Sequence, residues 1–199
     1  RIESEDGLAP DALVDPPPPS DPARFHVGIV RLPHISNFTD FDALERHGAV
    51  VHYLVEPRDL AGYDLVMLPG SKNTRGDLAW LRAQGWVPRL DAYAGHIMGL
   101  CGGYQMLGER IDDPHGVEGA PGGSDGLGLL PLRTVMDREK ATRPVTGVLG
   151  STPVRGYEIH VGSTAVRCEP LLHLEFDGGL RPDGARLGRV MGSYVHGLF

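Results

Sequence analysis

At 199 residues the chain is long enough for one full α/β domain and too short for two large ones. Its 41% hydrophobic content is ordinary for a globular protein, while 28 glycines and 17 prolines imply many tight turns and loops. A net charge of −7 without any basic run argues against nucleic acid as a partner, and no apolar stretch or signal peptide points to a membrane.

Residues 1–24 carry a proline-rich run, Pro16 to Pro19, and read as a semi-rigid spacer that implies a further part upstream. Residues 25–199 read as one domain. His26 to Arg31 is a short apolar strand. Phe38 to His47 shows helical spacing at Phe38, Phe41 and Leu44, with Gly48 as its stop. Strands follow at Ala49 to Val55 and Asp64 to Leu68, the latter ended by Pro69-Gly70. Thr74 to Gln84 reads as a helix closed by Gly85, and Val87 to Tyr93 as another. His96 to Leu100 is a fourth strand, leading through Cys101 into a helix that contains Met106 and Leu107. This alternation predicts an α/β fold: an open, mostly parallel sheet with helices on both faces. Residues 112–128 read as a long loop. Strand signals resume at Leu129 to Met136, Gly156 to His160, Leu171 to Phe176 and Arg189 to Tyr194.

Gly99-Leu100-Cys101-Gly102-Gly103 is the most informative segment. A cysteine between an apolar strand and a helix, with glycine two residues to either side, suits a sharp elbow that lifts a nucleophile from the sheet edge. Backbone N–H groups at the start of the following helix favour a thiolate there. Cys168 lies in a polar stretch with nothing around it to suggest chemistry. Two unpaired cysteines suit a reduced, cytoplasmic compartment.

A thiol nucleophile needs a base. His196, at the end of the last strand, is the first candidate, because strand C-termini converge on one edge of a parallel sheet. His160 is its rival. Charge developing on a substrate oxygen needs donors, which Gly102 and the Gly70-Ser71 turn can offer. The Pro69-Gly70-Ser71 turn reads as flexible by composition. No ligand spacing suggests a metal.

Leu100-Cys-Gly-Gly-Tyr-Gln-Met-Leu-Gly108 resembles the cysteine motif of class I glutamine amidotransferase domains, whose fold is flavodoxin-like. Arg31 to Asp42, Leu68 to Thr74, Gly156 to His160 and Tyr194 to Phe199 more narrowly resemble the glutaminase domain of the cobyric acid synthase family. The resemblance implies glutamine as substrate, Cys101 as nucleophile and His196 as base. It further implies Gly70 and Gly102 as oxyanion donors, with Gln105 and His160 at the glutamine-binding site. The expected partner is an N-terminal synthetase domain of the same protein that uses ATP and magnesium to activate carboxylates of a corrinoid acceptor. No cofactor is expected in this domain, since no GxxxxGK[ST] phosphate loop occurs in it. The superfamily commonly places Glu two residues after the histidine; here that position is Leu198, and because the narrower family commonly lacks that Glu the resemblance implies a Cys–His dyad. The orienting group is open, with Glu158 as one candidate. The rival readings are the glutaminase part of a peptidoglycan-precursor amidase or of cobyrinic acid a,c-diamide synthase, and a catalytically silent docking domain.

Overall fold

The computed structural model describes residues 16–199. Residues 1–15 of the expected spacer lie outside them. The first half of the domain comprises β1 (His26–Val30), β2 (Ile35–Ser36), a 3-10 turn at Phe38–Asp40, α1 (Asp42–Arg46), β3 (Val50–Leu54), β4 (Leu65–Leu68) and β5 (Gly70–Ser71). It continues through α2 (Thr74–Gln84), α3 (Trp86–Ala92), β6 (His96–Leu100) and α4 (Gly102–Met106). Every residue of β1 is buried, as a central parallel strand requires. The Asn73 side chain accepts from Gly76 N to cap α2, and Gly85 ends that helix in the left-handed region at φ 85°.

The expected helix over Phe38 to His47 is interrupted. Asn37 turns the backbone at φ 58°, a 3-10 turn follows, and only Asp42–Arg46 is α-helical. The break directs Asp40 inward beside the buried Phe41.

The second half is β7 (Arg110–Asp113), β8 (Gly122–Asp125), β9 (Leu132–Leu149), β10 (Thr152–Val166), β11 (Leu172–Phe176), β12 (Gly179–Asp183), β13 (Ala185–Leu187), β14 (Val190–Ser193) and β15 (Val195–His196). The expected loop over 112–128 therefore contains strand β8 and the end of β7, paired antiparallel. Asp113 tightens their connection by accepting from Val117 N at 2.8 Å and Glu118 N at 2.9 Å. The short strands expected near 129–136 and 156–160 are parts of one long hairpin, β9–β10. Its middle stretch, Asp137 to Lys140 of β9, is exposed, so no apolar alternation marked it as strand.

The six-stranded sheet has the order β13-β14-β6-β4-β1-β3, parallel except for edge strand β13. Leu78, Leu81, Trp86, Leu90 and Met106 from α2, α3 and α4 cover one face. On the other, Phe41 and Leu44 beside and within α1 are joined by Val145, Leu172, Leu174 and Val195 of the second sheet. That sheet runs β12-β11-β9-β10-β15. The chain leaves β14 at Tyr194 and immediately pairs β15 with β10, so His196 sits where the sheets meet.

Two glycines allow α4 to start directly at the end of β6. A Cβ on Gly99 would lie 2.6 Å from Gly103 O, and one on Gly103 would lie 2.0 Å from Leu68 O. Gly103→Ala should consequently lower Tm by about 2–12 °C, from an overpacking cost of roughly 1–3 kcal/mol. Gly179→Ala is the control, since its Cβ would meet nothing nearer than 3.8 Å. Thermal unfolding of the two variants checks this.

Candidate active site

Cys101 occupies the elbow at φ 51°, ψ −110°, a conformation that non-glycine residues rarely adopt. The surroundings hold it there: its N–H donates to Ser193 O at 3.0 Å and its carbonyl accepts from Gln105 N at 3.1 Å. Sγ is half-buried and 3.5 Å from Ile159 O on β10. The second sheet thus roofs the nucleophile.

His196 is fully buried. Its Nδ1 lies 2.6 Å from Asp40 Oδ2, while Asp40 Oδ1 accepts from Gly197 N at 3.0 Å. A carboxylate only accepts, so Nδ1 carries the proton and Nε2 is left for chemistry. Asn37 Nδ2 approaches Nε2 at 3.2 Å, and the Tyr157 ring stacks on the imidazole at 5.2 Å between centroids. Burial opposes the charged imidazolium, but hydrogen bonds to Asp40 and to the Cys101 thiol outweigh it and raise the pKa to about 9.

Glu158 does not take the orienting position. Along β10 side chains alternate, and Tyr157 is the residue paired with His196. The buried Glu158 carboxylate instead accepts from Arg143 Nε at 2.5 Å and Arg181 Nη2 at 3.0 Å. Asp40, the residue that meets His196, escapes sequence reasoning for two reasons. It lies 156 residues away, and it falls off the apolar stripe of Phe38, Phe41 and Leu44 that helical spacing would turn inward.

The Pro69-Gly70-Ser71 turn is not a loose one. Gly70 and Ser71 pair with Ser36 and Ile35, and Ser71 Oγ donates to Asp77 Oδ2 at 2.6 Å. Gly70 lies against the base: a Cβ there would be 3.6 Å from His196 Cε1. A Cβ on Gly102 would be 3.0 Å from Ser71 N, so the elbow and the turn face each other closely.

Gln105 is buried, its Nε2 donating to Val161 O and Tyr194 Oη, both at 3.0 Å. It ties the elbow helix to both sheets and borders the cavity. The His160 ring stacks on Tyr194 at 3.7 Å, and burial lowers its pKa despite the pull of Glu158. Its Nδ1 has no partner among the described residues. Cys101, Gly102, Gln105 and His160 all line one cavity of about 360 Å³, within the range of small-molecule sites. His160 also borders a neighbouring cavity of about 640 Å³ that contains Cys168, whose thiol burial pushes up. A raised pKa leaves Cys168 less thiolate than an ordinary cysteine.

The family model of the CobB/CobQ-like glutamine amidotransferase domain matches residues 26–199. "Cobyric acid synthase" of Chlorobium phaeobacteroides (strain BS1) is 47% identical over 216 aligned positions, covering 100% of this chain and 43% of the relative. "Cobyric acid synthase" of Chlorobaculum tepidum is also 47% identical, with 100% and 42% covered. The chain thus spans less than half the length of these relatives. The structure of PurLQS from Thermotoga maritima shares the fold at TM-score 0.58, with 19% identity and 87% of each chain covered.

Because the folded pKa of His196 lies above its ordinary 6.5, the protonated ring stabilises the fold below pH 6.5, and that contribution is lost as pH rises through about 9. NMR titration should find this imidazole protonated at neutral pH. In Asp40→Asn, burial is opposed by less, so the midpoint should fall by at least one unit. An unmoved midpoint would contradict the pairing.

Proposed function

Given that the chain belongs to the CobB/CobQ-like glutamine amidotransferase domain family, we propose that Cys101, His196 and Asp40 act together as its glutamine-hydrolysing centre. The observation that carries this reading is the strained Cys101 beside a buried histidine whose far nitrogen is held by a carboxylate.

In the proposed sequence Cys101 Sγ, as the thiolate whose proton is held on His196 Nε2, attacks the side-chain amide carbon of glutamine. The carbonyl electrons move onto oxygen, which the Gly102 N–H and the Gly70-Ser71 turn receive. Protonated His196 gives its Nε2 proton to the amide nitrogen as the C–N bond breaks, releasing ammonia and leaving a thioester. Neutral His196 then takes a proton from water. The hydroxide attacks the thioester, the C–S bond breaks, and glutamate leaves. Asp40 keeps Nδ1 protonated throughout and stabilises the imidazolium. Gln105 and His160 shape the glutamine cavity, with His160 neutral against Tyr194.

For the whole protein, the name of these relatives suggests cobyric acid synthesis. In this reading the ammonia amidates corrin-ring carboxylates in cobalamin biosynthesis. Activation of those carboxylates by ATP and magnesium falls to a synthetase domain of the same protein, joined through the proline-rich residues 1–24 to the glutaminase domain of 25–199. A cytoplasmic setting suits the reduced thiol. None of the described helices is long and apolar enough to cross a membrane.

The test separates ammonia release from ammonia use in the full-length protein. Cys101→Ala should abolish glutamine-dependent amidation and leave ammonia-dependent amidation largely intact, and Cys168→Ala should change neither. His196→Asn should lower glutamine hydrolysis about 100-fold or more, the usual scale for a general base. His160→Asn should act mainly on KM. Equal loss of both amidation activities in Cys101→Ala would falsify the division of labour.

A further inference from the structure

Cys101 and His196 are delivered by different sheets, and a nucleophile and its base must stay within about 2.6–3.2 Å to exchange a proton. A misplacement of about 1 Å can cost roughly 100-fold in rate. One residue touches both arms of the site. Ser193, the last residue of β14, is paired with Leu100, and its carbonyl accepts from Cys101 N at 3.0 Å. Its Oγ accepts from Val195 N at 3.0 Å, one residue before His196.

A hydroxyl that accepts through a lone pair keeps its aim only if its single proton is also engaged. Here that proton goes to Asp183 Oδ2 at 2.8 Å, and both residues are buried. Asp183 ends β12 in the second sheet. Gly184, at φ 67°, then turns the chain into β13 on the edge of the first. A Cβ on Gly184 would lie 2.4 Å from Gly192 O, so this crossing runs against the end of β14. The chain returns to the second sheet at Tyr194, and the Asp183–Ser193 bond joins the two crossings. Asp183 is kept there although burial, with the Glu158 carboxylate of β10, raises its pKa. The Ser193 hydroxyl and Arg181 of β12, 3.8 Å away, oppose that rise, while Arg143 of β9 pairs with Glu158.

We infer, on the amidotransferase reading above, that Asp183 is a positioning residue: through the Ser193 hydroxyl it ties the two sheets together and sets the approach of His196 to Cys101. Asp183 lines the neighbouring cavity and not the one at Cys101. Its effect on the reaction passes through Ser193.

Two variants remove the bond, Asp183→Leu from one side and Ser193→Ala from the other, and Asp183→Asn keeps an oxygen that can accept it. The group to follow is His196, faced by Asp40 from the 3-10 turn, Cys101 from the elbow and Tyr157 from β10. Without the bond the Cys101 contact loosens while Asp40 stays. The His196 midpoint, read by NMR in the full-length protein, should fall from about 9 by roughly one unit, the scale of one charge-assisted hydrogen bond. The kcat for glutamine hydrolysis should fall roughly tenfold or more, with a smaller change in KM. Asp183→Asn should keep the midpoint and most of the rate. Tyr93→Phe deletes a buried hydrogen bond to Tyr63 O, just before β4, and should lower stability without moving the midpoint. The midpoint belongs to folded molecules alone, so lost stability does not imitate the shift, and Ser193→Ala carries the test if Asp183→Leu does not fold. A midpoint that stays at about 9 in Ser193→Ala, or falls as far in Asp183→Asn as in Asp183→Leu, would overturn the positioning role. Absence of Cys101-dependent ammonia release from the unmodified protein would instead overturn the functional reading beneath it.

Discussion

The buried contact between Asp40 and His196 is the constraint on which the rest of the site depends. Its two partners are 156 residues apart and each almost completely enclosed. An isolated buried carboxylate or imidazolium is costly, whereas the two together, with Gly197 N satisfying the second carboxylate oxygen, satisfy each other. The pair can form only if the start of the domain and its last strand are brought together. That requirement explains two irregularities: the left-handed Asn37 that breaks the first helix, and the early departure of β15 from the parallel sheet.

The nucleophile is positioned by the complementary half of the architecture. Cys101 is held in an unfavourable backbone conformation by Ser193 O on β14, one strand over, and by its own helix. Gly99 and Gly103 remove the side chains that would block this close approach. The parallel sheet therefore aims the sulfur, and the second sheet, through His196 on β15 and Ile159 on β10, brings the base and the roof. Neither sheet carries a complete site.

Much of the first half was legible in the sequence because its strands are apolar runs bounded by turn residues, and because Gly85 marks the end of α2. The elbow was legible for a related reason: only glycine fits two residues before and after a cysteine in that turn. The long hairpin was not, since residues such as Asp137, Arg138 and Glu139 lie exposed along β9 and leave no alternating pattern. Asp40 was hidden by a different mechanism. Helical periodicity places it toward solvent, and only a break in the helix turns it inward. The Gly70-Ser71 turn shows the converse error, since residues that suggest flexibility are here pinned by a short β-pair and by Asp77.

The central claim is that Asp40 sets the protonation state of the base, and the pH dependence of kcat/KM for glutamine hydrolysis tests it most directly. A profile whose alkaline limb reports loss of the His196 proton should fall near pH 9 in the unmodified protein, where that group titrates. In Asp40→Asn the limb should move toward or below pH 6.5, the ordinary histidine value, with a loss of rate at every pH. A profile that keeps both its alkaline limb and its height in Asp40→Asn would contradict the account.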